Sequence, residues 1–175
     1  MLRFHNGLIF IAFSLLLSLG LGFAYFAQYY LSIEPCAMCY TQRYLFMIAI
    51  FILFITGLFF NKFPILKYVS LLALITNLLF SGFHVGVEQK WWQGPKTCTS
   101  QTDLNFQNLS TEQALEKLKE HLTHKKFVPC DQIGWRILSI PVTILNTVFL
   151  LILCLLTVKV IIRCHRKKCQ IFYKK

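Results

Sequence analysis

Four apolar runs, each close to the length that crosses a bilayer, constrain this chain more than any other feature. A roughly 30 Å hydrocarbon core takes about 20 residues of helix, and the runs cover residues 8–30, 40–60, 65–85 and 141–162. Lipid offers the backbone no hydrogen-bond partner, so continuous apolar runs of this length cross as helices. The links between the first three are short, which makes those helices antiparallel neighbours. Residues 86–140 form the only sizeable polar stretch. The sequence therefore predicts one membrane domain over residues 1–175, an all-α membrane protein built as an antiparallel four-transmembrane-helix bundle with one long loop. Only 14% of the residues are charged, against about 25% in a soluble domain. Too little polar surface remains to cover a water-soluble globule of this size.

The net charge of +11 raises the question of nucleic acid. Its placement answers otherwise. Lys159, Arg163, Arg166, Lys167, Lys168, Lys174 and Lys175 lie at or beyond the end of the last apolar run, where basic clusters anchor a chain to anionic membrane lipids. The long loop has no basic stripe, so no nucleic-acid partner is expected. With four crossings, Arg3, Lys62, Lys67 and the basic tail (residues 163–175) share one side, which the orientation rule makes cytoplasmic. Both termini are then cytoplasmic. All seven acidic residues, from Glu34 to Asp131, fall on the outer side. The first run also permits a cleaved signal peptide, with a small-residue site near Ala24. Its apolar stretch is longer than such peptides use, and cleavage would leave three helices.

Within the outer loop, Ser110-Thr111-Glu112-Gln113 has the form of a capping box. Ala114, Leu115, Leu118 and Leu122 follow at helical spacing, opposite Glu116, Lys117, Lys119 and Glu120. A short amphipathic helix is predicted, either solvated or lying on the membrane surface. Asn108-Leu109-Ser110 fits a glycosylation acceptor, a pattern too short to carry weight.

Seven cysteines divide by side. Cys36, Cys39, Cys98 and Cys130 lie on the outer side, where disulfides persist. Cys154 reads as a small buried apolar residue, and Cys164 and Cys169 belong to the basic tail. Cys36-Ala37-Met38-Cys39 stands where the second helix begins; this spacing can close a disulfide ring, and a helix N-terminus favours a thiolate. Arg43 follows Cys39 by four residues, one turn along the same face. It either stabilises a thiolate or an anionic reduced ring there, or snorkels to the lipid heads. Zinc is the metal alternative, but His121, His124, Cys98 and Cys130 give no regular second half, and no metal is expected. A Cys98–Cys130 bridge used only as a staple would close a loop of roughly thirty residues, contributing about 3–4 kcal/mol. Beside a second pair on the same face, exchange between pairs becomes natural chemistry.

These residues resemble the bacterial DsbB disulfide-bond formation family over nearly the whole chain. The likeness rests on Glu34-Pro35-Cys36-Ala37-Met38-Cys39 with Gln42-Arg43, on Gly86-Val87-Glu88 leading through Trp91-Trp92 and Gly94-Pro95 to Cys98, and on Val128-Pro129-Cys130-Asp131 with Trp135. The resemblance implies an inner-membrane thiol:quinone oxidoreductase with a long periplasmic loop. It implies that a periplasmic thioredoxin-fold dithiol oxidase (DsbA-like) gives electrons to Cys98, whose disulfide mate is Cys130. They pass to Cys36–Cys39, and Cys39 meets a quinone, ubiquinone or menaquinone, near Arg43. The membrane quinone pool and membrane lipids are the further partners implied. Two departures stand out. The residue before the arginine is often acidic in the family and is Gln42 here. A histidine near the outer end of the third helix is linked to quinone in some members; His84 lies in that region, or is simply hydrogen-bonded inside the bundle.

Three other readings compete. One is a paralogue dedicated to a single partner. The vitamin-K-reductase-like family does similar chemistry, but its cysteine motifs come in the opposite order. A structural membrane protein with two static disulfides comes from a different class, and redox titration separates it from the rest.

Overall fold

The computed structural model describes residues 2–60, 62–95, 98, 128–131 and 134–173, with side chains described from residue 6 to residue 166 of these. Among the described residues its architecture is a bundle of four helices: α1 (Leu2–Tyr30), α2 (Ala37–Phe59), α3 (Leu66–Glu88) and α4 (Val142–Tyr173). Each contains a segment long and apolar enough to cross a membrane: Asn6–Tyr30, Ala37–Phe59, Leu66–Glu88 and Val142–Arg166. The predicted amphipathic helix after Ser110 lies outside the described residues. The fourth helix continues past the expected boundary at residue 162, so the basic tail is helical to Tyr173. Lys and Arg end a membrane crossing without ending a helix, since both are good helix formers.

Between 22% and 33% of each crossing segment is buried inside the molecule. The remainder presents large apolar side chains outward, among them Leu19, Phe51, Leu72 and Leu155. Lipid is as apolar as leucine, so helices in a bilayer associate through close packing and interhelical hydrogen bonds. Close packing is clearest between α1 and α2. A Cβ on Gly7 would lie 2.7 Å from the carbonyl oxygen of Gly57, and a Cβ on Gly57 would lie 3.0 Å from that of Gly7. Only glycine permits this approach at both positions. Around it Phe10, Leu17, Leu53, Leu74 and Leu150 are completely buried.

Polar side chains join the helices as well. Ser14 Oγ donates to Ile50 O at 3.0 Å, tying α1 to α2. Asn77 Nδ2 on α3 donates to Leu45 O on α2 at 3.1 Å. Ser81 and Thr147 hydroxyls share a hydrogen bond of 2.7 Å between α3 and α4. Asn6 on α1 reaches Cys164 on α4 at 3.0 Å, so these two run antiparallel. Each such bond contributes about 0.6 kcal/mol on average in a membrane bundle.

A two-stranded hairpin, β1 (Arg136–Ile137) with β2 (Ile140–Pro141), leads into α4. It is absent from the sequence expectation. Its turn residues Leu138 and Ser139 both have positive φ, at 49° and 69°, in a turn that glycine or asparagine ordinarily fills.

Candidate functional site

Local sequence builds the head of α2. Pro35 favours an extended residue before it, and Cys36 itself is extended (φ −73°, ψ 170°) as the N-cap. Its sulfur accepts the Cys39 amide at 3.3 Å, replacing the usual capping oxygen. One turn later the Cys39 sulfur stands 2.9 Å from that of Cys36, the two sharing a hydrogen bond as free thiols. His84, on α3 and 3% exposed, brings Nε2 to 3.5 Å from Cys36 Sγ. The hydrogen bond between the two sulfurs, aided by His84 and the Cys39 amide and opposed by burial, lowers the Cys36 thiol to about pKa 4. A thiolate at Cys36 accepts the shared proton from Cys39, and such a thiolate is both nucleophile and good leaving group.

The second pair is delivered by the turn after α3. Trp92 folds back so that its ring occupies the space a Cβ on Gly86 would need, while its Nε1 donates to Phe83 O at 3.1 Å. Gly94 then passes over Val87, where a Cβ would sit 2.8 Å from Cγ1 and 3.4 Å from Cys98 Cβ. Cys98 turns back through a 2.7 Å bond to Pro95 O, and Cys130 N donates to Cys98 O at 2.9 Å. Cys98 and Cys130 are joined by a disulfide with Cα atoms 4.8 Å apart. The motif Gly86…Trp92…Gly94-Pro95 thus has a geometric purpose: it seats Cys98 on the end of α3.

All four outer cysteines consequently meet. Cys36, Met38, Val87, Cys98 and Cys130 form one buried cluster, with Cys39 packed against it. In this structure Cys98 is 1% exposed and Cys130 2%. Val87 and Gly94 pack beside Cys98, a contact no single-sequence pattern reveals.

Arg43 is buried and turned towards α1. Nη2 donates to Ala24 O at 3.0 Å and Nη1 to Gln28 Oε1, with the guanidinium over the rings of Tyr25 at 4.8 Å and Tyr40 at 5.5 Å. It is therefore held inside the bundle and does not snorkel. Gln28 escaped the sequence reading, although a polar side chain within an apolar run is itself a functional signal.

A cavity of about 240 Å³ lies between these groups, walled by Cys36, Cys39, Arg43, His84 and Cys130, with Trp135 stacked on Phe23 at its rim. Glu88, 5% exposed, also lines it and accepts the Thr143 hydroxyl from α4. Two wall atoms are buried without a hydrogen-bond partner, His84 Nδ1 and Gln42 Nε2. The sulfurs of Cys36 and Cys39 and a His84 nitrogen lie within 4.8 Å of one another, three soft ligands of the kind that hold a metal. A closed zinc site needs a fourth. Of those considered from sequence, Cys98 and Cys130 are engaged in their disulfide, and His121 and His124 lie outside the described residues.

A free dithiol and a disulfide buried together at one end of a four-helix membrane bundle define a multi-pass membrane protein equipped for thiol–disulfide exchange. The sequence model of the disulfide bond formation protein DsbB family matches residues 6–160, nearly the whole chain, and the protein belongs to that family. No curated protein and no solved structure gives a match. Family membership makes the chain a membrane oxidoreductase of disulfide-bond formation.

Proposed function

We propose that this protein is a quinone-dependent protein-disulfide oxidase of the bacterial inner membrane, with both termini cytoplasmic and the cysteine end periplasmic. One observation carries the reading: Cys36, Cys39 and Cys130 wall a single cavity. The orientation follows from the basic flanks of the helices.

The electron donor is a periplasmic DsbA-like protein of the thioredoxin fold in its dithiol form. Its thiolate attacks Cys98 Sγ, the Cys98–Cys130 bond breaks, and Cys130 departs as a thiolate. The partner's second thiol then displaces Cys98, which leaves the partner oxidised and the pair reduced. Cys98 is 1% exposed, so the attack requires its sulfur to become accessible. Cys130 next exchanges with Cys36–Cys39 across the cavity. Cys130 attacks Cys36 and Cys39 departs. Cys98 then attacks Cys130, the Cys98–Cys130 disulfide re-forms, and Cys36 leaves as the stabilised thiolate, so the second pair ends as a dithiol.

A quinone, ubiquinone or menaquinone, supplies a two-electron, two-proton acceptor when bound beside Cys39. The residues fit one. The cavity is somewhat below the roughly 300–1,000 Å³ of whole drug-sized ligands, which suits a headgroup whose tail stays in lipid. His84 Nδ1 is buried and unpartnered there. Arg43, fixed by Gln28 and Ala24, holds a positive charge at the wall, and preorganised charge of this kind favours electron build-up nearby.

The order of transfer is open to test on non-reducing gels. In Cys130→Ser, Cys98 is a lone thiol. Given the oxidised partner, it attacks the partner's disulfide, and the partner's second sulfur departs as a thiolate. The mixed disulfide accumulates because the mate that would displace the partner from Cys98 is gone. Cys39→Ser leaves partner attack intact and abolishes quinone reduction. A partner adduct formed through Cys36 that survives loss of Cys98 overturns the series order.

A further inference from the structure

We infer that the side-chain amide of Gln42 donates a hydrogen bond to a ring oxygen of the bound quinone, an assignment that rests on the quinone reading above. Gln42 lies on α2 between Cys39 and Arg43, and all three line the same cavity. Its Nε2 is cut off from solvent and has no hydrogen-bond partner. Buried amides are almost always paired, and an orphan donor implies a group that completes it. An amide N–H needs an acceptor; besides the polar residues Glu34, Glu88, Thr143 and Asn146, of which Glu88 already accepts from Thr143, the cavity has apolar walls at Ala27, Phe46, Val128 and Phe149. A flat ring with carbonyl oxygens matches that combination of an apolar body and a point acceptor.

The chemistry of the position supports the same assignment. The ring oxygens of a quinone gain negative charge as electrons arrive, so a donor bond to one of them strengthens during reduction. A carboxylic acid in place of Gln42 would not serve. An ionised carboxylate can only accept hydrogen bonds, and it would add negative charge where the ring is gaining it. Gln42 supplies the donor without the charge, next to the cation of Arg43.

The test uses the full-length protein in lipid nanodiscs with both cysteine pairs oxidised, so that binding occurs without electron transfer. The probe is a short-chain dimethoxybenzoquinone with isotope-labelled carbonyls. Affinity is read from quenching of tryptophan fluorescence, Trp135 being in the cavity wall, and bonding from the infrared carbonyl stretch. The wild type should show one stretch displaced below that of the free quinone. Gln42→Met, which keeps side-chain length and volume, and Gln42→Leu should each weaken binding about tenfold. Each should also return that stretch towards its free position. Unchanged affinity and unchanged stretches in both variants remove the Gln42 assignment and leave the quinone site standing. Weaker binding with the displaced stretch retained also overturns it, because Gln42 is then only packing. If the wild-type protein binds no quinone, the quinone reading falls and this assignment with it.

Discussion

The end of the bundle that carries the chain termini and the end that carries the cysteines are built to different standards. At the first, Gly7 and Gly57 bring two backbones together, and Phe10, Leu17 and Leu53 leave no exposed surface. Its hydroxyls are bonded to carbonyls: Ser14 to Ile50, Thr56 to Ile52 and Leu66, Thr157 to Leu153. At the second, two residues of the cavity lining, Gln42 and His84, each keep a buried nitrogen without a hydrogen-bond partner. The positive-φ non-glycine residues among those described, Ser32, Lys90, Leu138 and Ser139, all lie in its connections. One end holds the molecule together, which lets the other keep an unsatisfied, reactive arrangement. Strained and unpaired groups persist where the surroundings over-determine them.

If stability resides at the terminal end, the largest effect should come from Gly57→Val. The added carbons meet the Gly7 carbonyl at 3.0 Å and the Ile11 backbone nitrogen at 3.1 Å, so α1 and α2 must separate. A loss of about 2 kcal/mol is expected, measured by denaturant unfolding in detergent. In the protein that remains folded, Cys36 should alkylate at the normal rate. Normal stability with altered Cys36 reactivity would show that the two ends are one unit.

At the cysteine end, Arg43→Lys should act on function and spare assembly. A lysine ammonium cannot reproduce the fixed fork that holds Gln28 Oε1 and Ala24 O together. The Michaelis constant for quinone should rise about tenfold, the equivalent of one charge-assisted hydrogen bond. Unfolding should stay within about 0.5 kcal/mol of wild type. An unchanged constant would reduce Arg43 to a brace between α1 and α2.

Cys36 predicts an unusual pH profile for the reduced protein. Its pKa is lowered to about 4, so the thiolate is present above that value and is lost as the pH falls through it. Alkylation at Cys36 should therefore be flat from about pH 6 to 8, where an ordinary cysteine near pKa 8.5 speeds up steadily. His84→Phe removes one of the hydrogen bonds and the favourable charge, and should move the midpoint upward. A rate that climbs through neutrality in the wild type would refute the stabilised thiolate.

Sequence carried the bundle well because hydropathy over twenty residues records a crossing regardless of what surrounds it. It carried Cys36 and Cys39 for a related reason: the Pro35 turn, the N-cap and the one-turn spacing are all local. Whatever depends on which helix faces which stayed hidden. The bonds of Arg43 to Gln28 and of Glu88 to Thr143 span 15 and 55 residues, and no periodicity reports them. The burial of Cys98 beside Val87 and Gly94 is one that a polar loop composition disguises. The hairpin before α4 was missed because Leu138-Ser139 lacks the glycine or asparagine that announces such a turn.

That hairpin yields the smallest effect. Leu138 is 92% exposed, so a substitution there removes almost no packing within the protein. Its φ of 49° costs an L side chain about 1–2 kcal/mol, and glycine loses about 0.5–1 kcal/mol more backbone entropy than alanine on ordering. Leu138→Gly should leave a net local gain of about 0.5 kcal/mol. The Val142 amide, bonded to Trp135 O at 3.1 Å across the base of the hairpin, reports it. Its hydrogen exchange should slow by about twofold, the factor corresponding to that free energy. Faster exchange would mean that Leu138 is held by something beyond the protein, and a bilayer interface is the surface an exposed leucine at this end would enter. Repeating the measurement in detergent and in nanodiscs separates the two, since only the lipid-dependent contribution changes between them.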